Sequence, residues 1–161
     1  EVEALVASFI AFARDDPAEE ARVRIDLSAL LQSIADDRVE ARKQVTFEGE
    51  ERLIITGQSL GLKRLFNNLV ENALKYGGCA RIKLRRGEGP VVVDIEDDGP
   101  GVPTEQRESV FEPFVRLENG EARSGAGLGL PAARSIARAH GGDVAIMDAA
   151  KGALVRVSLP G

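Results

Sequence analysis

The stretch 59–76, SLGLKRLFNNLVENALKY, constrains the fold of this chain more than any other. At about 100° per residue, Leu62, Leu65, Phe66, Leu69, Val70, Ala73 and Leu74 gather on one side of a helix, which then needs an apolar partner. Asn68, Glu71, Asn72 and Lys75 fall on the other side, at i, i+3, i+4 and i+7. An ordinary solvated face is the competing reading, but it would more often carry Glu, Lys or Gln, because asparagine is a poor helix former. Asparagine carbonyls one turn apart suit a hard cation, and a lysine ammonium suits a phosphate. Gly77-Gly78 closes the helix.

Shorter elements surround it. Val2, Leu5, Val6, Phe9, Ile10 and Ala13 form one helical face that stops at Asp15-Asp16-Pro17. Residues 22–26 alternate as a strand would, and Leu27, Leu30, Leu31, Ile34 and Ala41 predict a helix over about 27–43 capped by Asp26. Residues 45–48 and 52–56 read as strands around Gly49, and 81–86 and 91–96 as a hairpin through Gly87-Glu88-Gly89-Pro90. After an irregular stretch, 97–127, a helix is predicted over 128–139, ending at Gly141-Gly142. Strands over 143–147 and 153–159, around Lys151-Gly152, close the chain. Irregular alternation with hairpins predicts a layered α+β sandwich and not a doubly wound parallel sheet.

Composition narrows the function. With 161 residues and 43% hydrophobic content, the chain fits one domain with a full core. No uncharged run exceeds ten residues, as in 4–13 and 124–133, half the roughly 20 of a membrane helix, so no direct membrane contact is expected. A net charge of −5 without a basic block argues against nucleic acid. Cys79 is the sole cysteine, which excludes an intrachain disulfide and a multi-cysteine zinc site. The start at Glu1 instead of Met leads us to expect a piece of a longer protein.

Two glycine motifs carry further chemistry. Asp97-Asp98-Gly99-Pro100-Gly101 follows a strand; its acidic residue can accept from an amino group, while the glycines let backbone approach a flat ligand. Ser124-Gly125-Ala126-Gly127-Leu128-Gly129-Leu130 leads into a helix with Pro131 in its first turn, where exposed N–H groups and the dipole favour an anion. The second does not match the Walker pattern, nor convincingly the dinucleotide fingerprint.

The order Asn68-x-x-x-Asn72, Asp97-x-Gly99-x-Gly101, Phe111-Glu-Pro-Phe114, Gly125-x-Gly127-x-Gly129 resembles the ATP-binding domain of sensor histidine kinases. That is one branch of the superfamily of gyrase, heat-shock chaperone and mismatch-repair ATPases. The resemblance spans roughly 22–161, and the wording NLVENALKYG, DDGPGVP, VFEPFVR and GLGLPAARSIARAHGG is most like membrane-bound sensors, FEPFVR and the short lid pointing to the osmosensor type. It implies a two-layer α/β sandwich of the Bergerat type, a mixed five-stranded sheet packed on three helices. Residues 1–16 would then end the second dimerisation helix, and 17–161 would form the catalytic ATP-binding domain with a lid at about 102–124.

The resemblance also implies roles. Asn72 would ligate Mg²⁺, with Asn68 supporting metal and phosphates; Lys75 would bind phosphate and Tyr76 lie near sugar and phosphates. Asp97 would accept from the adenine amino group, with Gly99 and Gly101 giving room. Gly125, Gly127, Leu128, Gly129 and Leu130 would line the phosphate side of the lid, which Phe111 and Phe114 anchor. Arg116, in preference to Arg123, would reach the terminal phosphate. Asn68, Lys75 and Arg116 would be the catalytic set.

Hydrolysing relatives carry glutamate where this chain has Asn68, so the resemblance favours phosphoryl transfer over hydrolysis; Glu71, at a different geometry, is not expected to act as a base. His140, the sole histidine, is expected to satisfy carbonyls at a helix end. The acceptor histidine would therefore lie on a dimerisation domain outside this chain, and a response regulator would receive the phosphate. The resemblance places this domain in the cytoplasm, its parent in the bacterial inner membrane. A nucleotide-sensing module without transfer and a gyrase-like ATPase are the alternatives.

Overall fold

In the computed structural model, which describes residues 20–40, 43–112 and 129–161, the chain runs β1 (Val23–Asp26), α1 (Leu27–Glu40), β2 (Gln44–Glu48), β3 (Ile54–Gly57), α2 (Ser59–Gly77), β4 (Cys79–Arg86) and β5 (Pro90–Asp97). Two short 3-10 turns, Thr104–Gln106 and Ser109–Phe111, precede α3 (Gly129–Ala139), β6 (Asp143–Met147) and β7 (Ala153–Pro160). A five-stranded sheet has the order β2-β4-β5-β7-β6, with β2 parallel to β4 and the remaining neighbours antiparallel.

Register sorts the sheet into two faces. Phe47, Ile82, Ile95, Val155 and Ile146 stand side by side across the strands, as do Leu84, Val93, Val157 and Val144. These rows join the core with α1 (Leu27, Leu31, Ile34, Ala35), α2 and α3 (Ala133, Ile136, Ala137). One residue along, the pattern is polar. Lys83, Asp94 and Arg156 share a row, and Arg156 Nε donates to Asp94 Oδ1 at 2.8 Å. The sheet thus packs helices on one face and presents charge on the other, as antiparallel alternation dictates.

The apolar stripe of α2 is where the pattern placed it: Leu62, Leu65, Phe66, Leu69, Val70 and Ala73 are buried, each worth about 1.5–3 kcal/mol for a large side chain relative to exposure. The helix ends as expected, with Gly78 at φ +74 and its N–H on the Leu74 carbonyl at 3.1 Å, a left-handed conformation natural to glycine. Its start is closed from a distance. The Glu20 carboxylate accepts from the Leu60 and Gly61 N–H groups at 2.7 and 2.9 Å. Asp26 caps α1 by accepting from the Ala29 N–H at 3.3 Å and also takes the Leu53 N–H at 3.2 Å.

The strands on either side of Gly49 are not partners: β2 pairs with β4, while β3 pairs with β1 in a separate two-stranded sheet. The turn at Gly49 folds against β4, where a Cβ would stand 2.9 Å from that of Leu84, so the chain leaves the main sheet there. Element ends shift by at most two residues; the 52–56 strand becomes Ile54–Gly57, and α1 is described only as far as Glu40. The 1–16 helix lies outside the described residues.

Candidate functional site

β5 brings Asp97 to the sheet's end, on its helix-facing side, and there the residue is 3% exposed. Its Oδ1 accepts from the Gly99 N–H at 2.8 Å, and the Ala153 N–H is a second donor. Burial nonetheless dominates and pushes Asp97 above the usual carboxylate range, with the nearby Asp98 charge adding to the rise and the two backbone donors and Arg81 opposing it. Asp98, next in sequence, is exposed and moves the other way, held down chiefly by a hydrogen bond from Arg81. Adjacent aspartates are therefore a buried acceptor and a solvated anion.

Space around Asp97 exists because side chains are missing. A Cβ on Gly77 would stand 2.5 Å from the Asp97 Cβ, and one on Gly99 would stand 2.5 Å from the Tyr76 carbonyl oxygen. The end of α2 and the Asp97 loop consequently meet backbone to backbone. Gly101, at φ +76, lies against the Gly152 carbonyl. Asn68, Asn72, Lys75 and Tyr76 are all half-buried on α2. Among the described residues no group of three or more His, Cys, Asp or Glu could hold a metal ion; the oxygen donors on the polar face of α2 are the amides of Asn68 and Asn72 and the carboxylate of Glu71.

The start of the predicted lid is pinned. Val110 and Phe111 are buried, and the Arg134 guanidinium of α3 sits 4.0 Å from the Phe111 ring centre while pairing with Glu108 and Asp143. An open cleft of about 270 Å³ lies between residues 100–103 and the β6–β7 turn, spanned by the 2.7 Å Arg107–Asp148 pair. Gly129 opens α3 and is exposed, and Leu130 packs on the core. Phe114, Arg116, Arg123, Gly125, Gly127 and Leu128 lie outside the described residues.

Residues 57–161 match the family described as histidine kinase-, DNA gyrase B-, and HSP90-like ATPase. This chain belongs to that family. Sensor histidine kinase GtrS of Pseudomonas aeruginosa PAO1 is 42% identical over 159 residues, 99% of this chain and 33% of that protein. The chain thus spans about a third of the curated relative it matches. Among solved structures, full-length ShkA in complex with AMPPNP is similar at TM-score 0.83 and 25% identity, over 99% of this chain and 35% of that one. The ATP-binding domain of PrrB from Mycobacterium tuberculosis is similar at TM-score 0.73 and 29% identity, covering 87% of this chain and 97% of that one. The fold is that of a histidine kinase ATP-binding domain, as the motif order implied.

Sequence reading missed contributions from afar. The Ala153 N–H and the Gly152 backbone back Asp97 from β7, and Arg38 of α1 reaches Glu71 and Asn67 on α2. Local patterns carry no sign of either. His140 does more than satisfy a carbonyl: Nδ1 lies 2.8 Å from the Ile136 oxygen, and Nε2 accepts from the Gln58 N–H at 2.9 Å, tying the end of α3 to the start of α2.

Proposed function

We propose that this domain binds ATP with Mg²⁺ and presents the γ-phosphate to a histidine on a dimerisation domain outside the chain, for onward transfer to a response regulator. The observation that carries the reading is the meeting of Asp97 with the end of α2. A buried carboxylate with acceptor capacity left over stands beside the helix whose polar face bears Asn68, Asn72 and Lys75.

In this reading Asp97 accepts from the adenine amino group, and Gly99 and Gly101 leave room for the flat base. Tyr76 lies near the sugar. Asn72 holds Mg²⁺ with support from Asn68, while Lys75 and a lid arginine, Arg116 before Arg123, neutralise the terminal phosphates. The glycines of 125–129, with Leu128 and Leu130, line the phosphate side. Bound Mg²⁺ supplies charge neutralisation at the phosphates; the protein supplies position. Residues 1–16 end the dimerisation helix and 17–161 form the catalytic domain, its lid over about 102–124. FEPFVR supports an osmosensor-like branch, and the parent is a bacterial inner-membrane sensor with this domain in the cytoplasm. Among the described residues no helix is long and apolar enough to cross a membrane.

Transfer is favoured over hydrolysis because Asn68 offers no base for water and Glu71 is engaged by Arg38. Incubation with γ-labelled ATP, Mg²⁺ and a separately supplied dimerisation domain should label that domain's histidine. Steady release of inorganic phosphate without label on the partner would instead indicate an ATPase.

A further inference from the structure

Arg38 carries α1 to the polar face of α2. The Arg38 guanidinium pairs with Glu71 Oε1 and, through Nη2, donates to the Asn67 Oδ1 at 3.0 Å, so one head group ties two residues a turn apart on α2. Glu71 occupies a sensitive place. It directly precedes Asn72, follows Asn68 by three residues and precedes Lys75 by four. A glutamate four residues before a lysine is the favoured orientation for an ion pair on a helix, and a carboxylate is also a better ligand for a hard cation than an amide. Left to itself, Glu71 would compete with phosphate for Lys75 and with the asparagines for the metal.

We infer that Arg38 is a positioning residue for the nucleotide site, committing the Glu71 carboxylate to α1 and offsetting its charge beside Asn72 and Lys75. The inference rests on the ATP-binding reading above. Arginine suits the task because its planar fork serves a carboxylate and an amide oxygen at once, which a lysine cannot do. The pair is partly solvated, with side-chain exposures of 23% for Arg38 and 45% for Glu71, so it contributes little to folding. Its effect belongs to the ligand.

The test is calorimetric titration of ATP with Mg²⁺ into the chain and its variants, beside nucleotide-free melting curves. Arg38→Met, which keeps the stem and removes the head group, should weaken binding by roughly three- to tenfold. Its melting temperature should stay within about 2 °C of the parent. Adding Glu71→Gln to Arg38→Met should restore binding to within about twofold, because the competing charge is gone. Two results overturn the inference while the ATP reading stands: unchanged affinity in Arg38→Met, or a loss that Glu71→Gln does not rescue, which would make Arg38 a mere packing contact. Absence of ATP binding by the parent chain would remove the reading itself and this inference with it.

Discussion

Gly77 lies directly against Asp97: a Cβ on the glycine would stand 2.5 Å from the aspartate Cβ and 2.6 Å from its Oδ1. The last turn of α2 and the end of β5 therefore fix each other's position only while residue 77 lacks a side chain. Gly77→Ala should displace Asp97 and cost about 1–3 kcal/mol of stability, partly offset by alanine's helix preference. ATP affinity should fall by about tenfold. Gly78→Ala is the control. Open space surrounds that position, so only the strain of φ +74 is felt, about 1 kcal/mol, with ATP affinity nearly unchanged. Equal effects of the two variants on binding would contradict the assignment of Gly77 as the spacer.

His140 should be a strut and never an acceptor. Because the Gln58 N–H donates to Nε2, the ring carries its proton on Nδ1, facing the Ile136 oxygen, and the residue is 7% exposed. It also stands at the far end of the 11-residue α3 from Gly129, about 16 Å at 1.5 Å per residue. His140→Ala leaves the buried Gln58 N–H without a partner and opens a cavity, while the Ile136 oxygen keeps the backbone N–H of residue 140 at 3.2 Å, so the change should cost about 2–4 kcal/mol. The isolated chain should take no label from γ-labelled ATP, before or after that change. Acid-labile label that disappears in His140→Ala would be decisive against this.

Asn72→Ala should leave the fold intact, since the side chain is on the half-buried polar face of α2 and outside its apolar stripe. The Mg²⁺-dependent part of ATP affinity should drop on the order of tenfold or more. Comparing titrations with Mg²⁺ and with a chelator isolates that part. A variant whose Mg²⁺ dependence matches the parent would remove the metal role.

The elevated Asp97 sets a pH dependence with a definite sign. Its folded-state value lies above the 3.8 of an ordinary aspartate, so the folded protein holds this proton more tightly than the unfolded chain does. The stabilising contribution is complete below that ordinary value and is lost as pH rises through the folded one. Asp97→Asn keeps an acceptor for Gly99 but no charge to bury. Without nucleotide, it should melt at or above the parent temperature at pH 7, the gap closing as pH falls towards 4. A variant that melts well below the parent at pH 7 would show that the charge is not under strain.

Legibility in the sequence followed the range of the interaction. The two faces of α2, the cap at Asp26 and the Gly78 terminus arise within one or two helical turns, and all three were readable. Pairing of β2 with β4 and of β1 with β3 joins strands far apart in sequence, and nothing near Gly49 encodes the choice. The same limit separates site residues. Asp97 and its glycines form one local motif, whereas Glu20 on α2, Arg38 on Glu71 and the Ala153 N–H on Asp97 are brought in by the tertiary fold. The motif itself could be read; the groups that hold it in place could not.

The most direct measurement of the central claim is the affinity of the parent chain and Asp97→Asn for ATP and GTP, with Mg²⁺, by calorimetry at neutral pH. The parent should bind ATP and discriminate against GTP, whose base presents an oxygen where adenine presents an amino group. Asp97→Asn should lose a charge-assisted hydrogen bond of about 1.5–3 kcal/mol, or roughly 10- to 100-fold in ATP affinity, together with most of the discrimination. Unaltered ATP affinity and unaltered preference over GTP in that variant would contradict the placement of adenine at Asp97, and with it the account of this site.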